Sequence, residues 1–258
     1  IPKPMDPRLL TTVAPAVARA AIADGVAQRP IENWTEYEHG LEKRLGLDNQ
    51  LSRVLLSKAR RAPKRVVFAD AENFTVLKAV QQCRDEGICI PILLGDVAAI
   101  EGIVNEHSLD LKDVEIIDTR NPQNSAVAER YAEAFFQKRQ RKGIVRSDAF
   151  KMIRKRNYFG AMMVESGDAD ALISGLTRHY PDTIRPALEI IGRQEGVKRV
   201  AGMYILLTKK GPLFFADTTV NMNPSVEDIV EITELAAQEV ERFNVKPRIA
   251  LATYSSFG

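Results

Sequence analysis

Hydrophobic positions change period along the chain. Near the start, Leu9, Leu10, Val13, Val17, Ala18, Ala21 and Ile22 recur at helical spacing, with Gly25 as the expected stop and Pro30 as the end of the unit. Pro2, Pro4 and Pro7 force an extended entry, because each ring fixes φ and disfavours helix in the residue before it. Trp34 to Leu47 and Leu51 to Ala59 read as two further helices, the second rich in Arg and Lys. With no strand among them, these segments read as a tail and connector rather than a self-sufficient domain.

From Lys64 the pattern alternates. Arg65 to Ala69 is a short apolar run ending in Asp70, Phe74 to Arg84 is helical, and Ile88 to Leu94 is a strand closed by Gly95-Asp96. Val97 to Glu106 is helical, Val114 to Ile117 is a strand ending in Asp118, and Ser125 to Arg141 is a long amphipathic helix. Strands that recur with helices between them predict βαβ crossovers and a parallel sheet covered on both faces. Further on, Ser147 or Asp148 is expected to cap a helix through Arg156, followed by helix over Tyr158 to Ser166 and strand over Ala169 to Ser174. Asp182 to Ile191 reads as helix, and Val200 to Thr208 and Leu213 to Ala216 as a hairpin turning at Lys209-Lys210-Gly211. Pro224 to Phe243 reads as a helix capped by Asn223, and Ile249 to Thr253 as a strand ending at Ser255, Ser256, Phe257 and Gly258. Because sheets of this class bind ligands in the loops that follow their strands, a chain ending in such a loop is expected to be a piece of a longer protein.

Composition narrows the class. The chain has 258 residues, 45% hydrophobic, with 36 Lys+Arg against 34 Asp+Glu and a net charge of +2. It is long enough for a sizeable core without staples, and it lacks the basic field that nucleic-acid binding needs. No apolar run approaches the length of a membrane span and the first residues do not resemble a signal peptide, so a cytoplasmic protein is the expectation. Cys83 and Cys89, spaced C-x5-C, fit neither a redox pair nor a zinc pair and read as reduced thiols.

Neither a Gly-rich nucleotide fingerprint nor a metal or nucleophile motif occurs. His39, His107 and His179 are too dispersed for a metal cluster. The densest candidate stretch runs from Ser174 to Pro186, after one strand and into a helix. There Arg178, Arg185 and the helix start could together hold a phosphate or carboxylate; equally, Arg185 could pair with Asp182 or reach into solvent. Asp70, Asp118 and Asp217 each follow an apolar strand, where site residues collect but where turn and cap aspartates are also ordinary. The basic clusters Lys138 to Lys142 and Lys151 to Arg156 read as solvated helix ends, with contact to a phosphate-bearing ligand as the other reading.

Several ordered blocks carry a resemblance: Tyr158-Phe159-Gly160-Ala161-Met162-Met163-Val164, Gly167-Asp168-Ala169-Asp170-Ala171, Ser174-Gly175, Thr183-Ile184-Arg185-Pro186-Ala187-Leu188 and Phe215-Ala216-Asp217 through Val220-Asn221. Residues from about 60 to 258 thereby resemble the phosphate acetyltransferase (phosphotransacetylase) family. The start, Ile1 to Leu9 with Ala14 to Ala18 and Gly25 to Ala27, resembles the end of the NAD(P)-binding domain of bacterial malic enzymes. The two occur together in the large NADP-dependent malic enzymes. On this resemblance residues 1–30 form the malic enzyme tail, 31–62 a helical connector and 63–258 a phosphotransacetylase-like domain that is incomplete at its C-terminus.

The resemblance implies a three-layer α/β/α fold with a mostly parallel sheet, in two subdomains with a cleft between them that binds acetyl-CoA or acetyl phosphate. It makes Arg185 the substrate-anion arginine and the Ser174-Gly175 loop part of the same site. Thr177, Arg178, Thr183, Asp217, Ser255 and Phe257 complete the expected ligand-binding set. Where acetyltransferases carry Ser-Thr-Lys-Gly, this chain has Ser255-Ser256-Phe257-Gly258, so an aromatic ring replaces a cationic contact. Losing one such electrostatic contact removes about 3 to 4 kcal/mol of the stabilisation a transferring acetyl group needs. The implied function is therefore a regulatory acetyl-CoA sensor in an oligomeric, cytoplasmic malic enzyme, with NADP and Mg or Mn belonging to the upstream domains. No catalytic residue and no metal ligand is assigned in this chain. The alternatives are an active phosphate acetyltransferase and an oligomerisation scaffold.

Overall fold

The computed structural model describes residues 8–44, 50–208 and 211–252. Three helices come first, α1 (Arg8–Ala23), α2 (Trp34–Arg44) and α3 (Gln50–Arg61). Alternation then begins with β1 (Lys64–Phe68), α4 (Phe74–Asp85), β2 (Cys89–Leu94), α5 (Val97–Glu106) and β3 (Glu115–Ile117). Next come α6 (Ser125–Arg139), α7 (Arg146–Ile153), α8 (Arg156–Glu165), β4 (Ala171–Ile173) and α9 (Tyr180–Ile190). A hairpin of β5 (Met203–Thr208) and β6 (Gly211–Ala216) and a helix, α10 (Val226–Arg242), follow. The chain divides into two compact units, Leu56–Val200 and Ile1–Leu55 with Ala201–Gly258. A boundary at Val200 thus falls inside the 63–258 stretch that the sequence groups together.

In the first of these units all four strands are parallel, in the order β3-β2-β1-β4. Alternation along each strand sends side chains to opposite faces, as the strand period of two requires. Val67, Ile92 and Leu94 enter one core with Tyr131 and Phe135 of α6, Ile153 of α7 and Phe159 and Met162 of α8. Phe68 and Leu93 enter the other with Leu77 and Val80 of α4 and Ile100 of α5. Helices therefore cover both faces and the unit has three layers, α/β/α. At the amino ends of the strands, Arg65 donates to the carbonyls of Asp168 and Gly167, each at 2.9 Å, and pairs with Asp170, fixing the turn into β4 beside β1. Both cysteines are free, and burial raises the Cys89 thiol to about 11.

In the other unit, β5 and β6 pair antiparallel from Met203↔Ala216 to Thr208↔Gly211. The expected turn residues Lys209 and Lys210 lie outside the described residues. Phe214 of β6 packs against Phe243 just beyond α10, with ring centroids 5.6 Å apart.

Four expectations need correction. The expected helix through Arg156 breaks after Ile153, and α8 starts afresh at Arg156; Val145 precedes α7 without a side-chain cap, and Asp148 lies in the first turn instead, where it complements the helix dipole. Helix α9 starts at Tyr180, with Pro181 in the early position that the missing N–H favours, so Arg185 and Pro186 lie beyond the first turn. Helix α10 is capped by Ser225 rather than Asn223, because Ser225 and Asp228 bond each other's backbone N–H reciprocally, at 3.2 and 3.0 Å. Residues 249–252 form no strand: Ile249 and Leu251 are 55% and 73% exposed, and no described strand pairs with them.

Close approach of α8 to the sheet rests on Gly160. A Cβ there would lie 2.7 Å from Leu172 Cδ1 and 3.3 Å from both Leu94 Cδ1 and Val67 Cγ1. Replacing glycine in a helix gains up to about 1 kcal/mol in propensity, but overpacking costs about 1 to 3 kcal/mol. Gly160→Val is therefore expected to be net destabilising, read as a lower urea midpoint; an unchanged or raised midpoint would show that the contact yields.

Candidate ligand-binding site

Because β4 lies on the opposite side of β1 from β2 and β3, chain connectivity reverses between β1 and β4. Such a switch point leaves a crevice beyond the carboxyl ends of the strands. The structure has a cavity of about 550 Å³ there. Ala69 and Glu72 reach it from beyond β1, Gly95 and Asp96 from beyond β2, and Asp118, Thr119 and Arg120 from beyond β3. Arg178 enters after β4, Arg185 from α9, and the end of α7 with the start of α8 supplies Lys151, Arg154, Lys155, Arg156 and Asn157.

The loop after β4 is held by Asp70. Phe68 and Ile173 are register partners, so the exits of β1 and β4 lie side by side. The Asp70 carboxylate, 5% exposed, accepts from the amides of Gly175 at 2.9 Å and Leu176 at 3.1 Å and from the hydroxyls of Thr177 and Ser174. Gly175 has φ +121°, in the region open to glycine, which lets two successive amides turn onto one carboxylate. Burial pushes the Asp70 carboxyl up, but the Thr177 hydroxyl, the two amides and the Arg178 charge outweigh it and hold the group below its ordinary value.

A second tie links the start of α8 to the neighbouring loops. Glu72 accepts the Asp96 amide at 2.9 Å and pairs with Arg156 at 2.9 Å. Asn157 accepts from Ser174 Oγ at 2.9 Å and donates to the Asp182 carbonyl at 3.2 Å.

With Arg156 engaged, six other cations of the wall, Arg120, Lys151, Arg154, Lys155, Arg178 and Arg185, make no side-chain hydrogen bond or ion pair among the described residues. Seven cations face this cavity against four carboxylates, Glu72, Asp96, Asp118 and Asp182. Of these, Glu72 is tied to Arg156, Asp96 caps α5 through the Ala99 amide at 2.8 Å, and Asp118 accepts the Arg120 amide at 2.9 Å. What the arrangement can do is bind an extended anion on several cations at once.

The structure brings Arg178 and Arg185 to the cavity and gives Ser174, Gly175 and Thr177 to the Asp70 loop beside it. Arg185 does not pair with Asp182, the alternative that the sequence left open. Thr183 sends its hydroxyl to the His179 carbonyl of its own helix, at 3.4 Å. Asp217 belongs to the other unit, where its carboxylate accepts the amides of Gly202, Thr219, Val220 and Asn221 and the Asn221 side chain. Burial opposes ionisation of Asp217, yet these donors lower it to about 2. Ser255 and Phe257 lie outside the described residues. The cluster Lys151 to Arg156, read first as a solvated helix end, lines the cavity. Glu72, Arg120 and Asn157 were missed, although Glu72 and Arg120 each stand a few residues beyond a strand. The described residues contain no group of three or more His, Cys, Asp or Glu able to hold a metal ion.

The sequence matches the family described as phosphate acetyl/butaryl transferase over residues 50–258. It is 38% identical over 262 residues to an NADP-dependent malic enzyme of Escherichia coli, covering 100% of this chain and 34% of that protein. It is 36% identical over 204 residues to a phosphate acetyltransferase of Synechocystis sp., covering 78% of this chain and 29% of that protein. The chain thus spans about a third of the length of these curated relatives. Among solved structures, EutD phosphotransacetylase from Staphylococcus aureus superposes with a TM-score of 0.71 at 28% identity, covering 81% of this chain and 62% of that one.

Removing the Asp70 charge tests the loop. Asp70→Asn is expected to speed hydrogen exchange at the Gly175 and Leu176 amides and to lower stability by about 1 to 3 kcal/mol; unchanged exchange would sink the assignment. For Asp217, whose folded value is depressed, the stabilisation is present above the unfolded value of about 3.9 and is lost as pH falls towards 2. Asp217→Asn should therefore cost about 1 to 2 kcal/mol at pH 7, after allowing for solvent screening, and the gap to the parent should close towards pH 2 to 3 in melting experiments. A gap independent of pH would refute this.

Proposed function

The chain belongs to the phosphate acetyl/butaryl transferase family, and from that premise we propose that it is the regulatory, acetyl-CoA-binding part of a cytoplasmic, oligomeric NADP-dependent malic enzyme. The observation that carries this is the cavity at the β1/β4 switch point, walled by seven cations of which six make no side-chain hydrogen bond or ion pair among the described residues. Acetyl-CoA presents separated phosphates on one flexible body, which several scattered arginines and lysines suit better than a single tight anion cradle. Arg178 and Arg185 hold one anionic group beside the Asp70-organised loop; Arg120, Lys151, Arg154 and Lys155 receive the others. Malic enzymes similar to the chain over its whole length supply the context for the parent reaction, the oxidative decarboxylation of malate.

NADP and Mg or Mn, which that reaction requires, belong to the upstream part. The ligand therefore acts at a distance, by favouring one of two global states of the whole protein. A second reading, phosphate acetyltransferase activity in this domain, draws on the relatives of that name. Against it stands Ser255-Ser256-Phe257-Gly258, where the family's lysine is replaced by Phe257.

In the full-length protein, Arg185→Ala is expected to weaken acetyl-CoA binding about tenfold or more, read by calorimetry, and to relieve acetyl-CoA inhibition while malate turnover is kept. Inhibition unchanged in the variant would defeat the sensor reading. Formation of acetyl-CoA from acetyl phosphate and CoA by the full-length protein would decide for the transferase, and absence of any acyl-CoA binding would leave the scaffold.

A further inference from the structure

A second cavity, of about 700 Å³, lies in the unit Leu56–Val200 and shares no lining residue with the first. It is walled by the end of α6, the end of α9 and the segment from Gly192 to Val200. Its size falls within the roughly 300 to 1,000 Å³ of small-molecule sites. Four cations line it, Lys138, Arg139, Lys142 and Arg193, against one carboxylate, Glu189. That carboxylate already accepts the Tyr158 hydroxyl at 2.7 Å. Lys138 is also engaged, with Glu165 and with the Ile190 carbonyl at 2.7 Å, where it complements the end of α9.

The remaining three cations have no carboxylate partner among the described residues. Arg193 donates only to the Lys198 carbonyl, and Lys142 is exposed with no bond of its own. Arg139 is the more telling, because its Nε is buried without any hydrogen-bond acceptor. A buried donor without an acceptor is unfavourable and calls for an explanation, such as a ligand that supplies the acceptor. Leu188, Ile191, Val197 and Val200 give the same cavity an apolar wall.

We infer that this cavity is a second binding site, for a nucleoside diphosphate. Two adjacent phosphates match the three lining cations that lack a carboxylate partner among the described residues, with Arg139 and Lys142 donating to them. The base lies on the apolar wall of Leu188, Ile191, Val197 and Val200, which an inorganic anion would leave unused. A fatty acid would fill that wall but carry a single charge.

The test is calorimetric titration of the full-length protein with ADP. Saturable ADP binding is expected, weakened about tenfold by Lys142→Gln and by Arg139→Gln and unaltered by Arg185→Ala. Adenosine and inorganic pyrophosphate, each carrying half of the ligand, are expected to bind at least about tenfold more weakly than ADP. Lys142 is on the surface, so Lys142→Gln keeps the test alive if Arg139→Gln does not fold. No ADP binding at millimolar concentration would overturn the inference, as would an affinity that Lys142→Gln leaves unchanged. Loss of ADP binding in Arg185→Ala would place the nucleotide in the first cavity and overturn it too, and pyrophosphate binding as tight as ADP would remove the nucleoside from the assignment.

Discussion

The Asp70 carboxylate decides the shape of the ligand end of the sheet. It stands where β1 ends, beside the exit of β4, and draws four donors from Ser174 to Thr177 onto itself. Without an anion at that point, the amides of Gly175 and Leu176 would have to find water, and the loop would have no reason to fold back against β1. The consequence reaches beyond the loop, because Arg178 follows Thr177 directly. Its position at the cavity wall is set by the fixed backbone before it. The same charge that orders the loop also attracts Arg178, so one carboxylate serves both geometry and electrostatics.

Over the whole chain, 36 basic against 34 acidic residues hide the local imbalance at the cavity. There the acids are largely committed to other work: Glu72 ties Arg156, Asp96 caps α5 and Asp118 closes its own turn. The cations that remain line one cavity and, being of like charge, repel one another. A protein bears such repulsion at little cost when the groups are solvated, and recovers it when an anion arrives. Arg156 behaves differently from its neighbours because it is held by Glu72 and positions the start of α8 rather than waiting for a ligand.

Strand and helix order was legible because each element repeats a period that its burial demands: Val67 and Phe68 point to opposite cores, and Ala128, Tyr131, Ala132 and Phe135 follow the helical spacing of the face that α6 buries. Boundaries were less legible, since capping depends on reciprocal bonds such as Ser225 with Asp228, which compete with the equally plausible Asn223-Pro224. The strand expected at Ile249 was read from composition alone, and a strand is stable only against a partner that local sequence does not reveal. At the site, Arg185 was found by its setting in a recognisable block. Glu72, Arg120 and Asn157 were not, because their roles arise from strand order: only when β4 lies next to β1 do Ser174 and Asn157 come within reach of one another.

Asp70 and Asp217 look alike in the sequence, each following an apolar strand, and each turns out to satisfy a ring of donors from its neighbourhood. Such carboxylates have their lone pairs committed and are poorly suited to abstract a proton from a substrate. At the cavity beside Asp70, binding then falls to the cations distributed along its wall. Cations that contact phosphates remote from a reacting bond hold the ground state and the transition state alike, which tightens binding without lowering a barrier. A wall of arginines and lysines that make no ion pair among the described residues is therefore suited to holding an extended anion rather than to moving a proton.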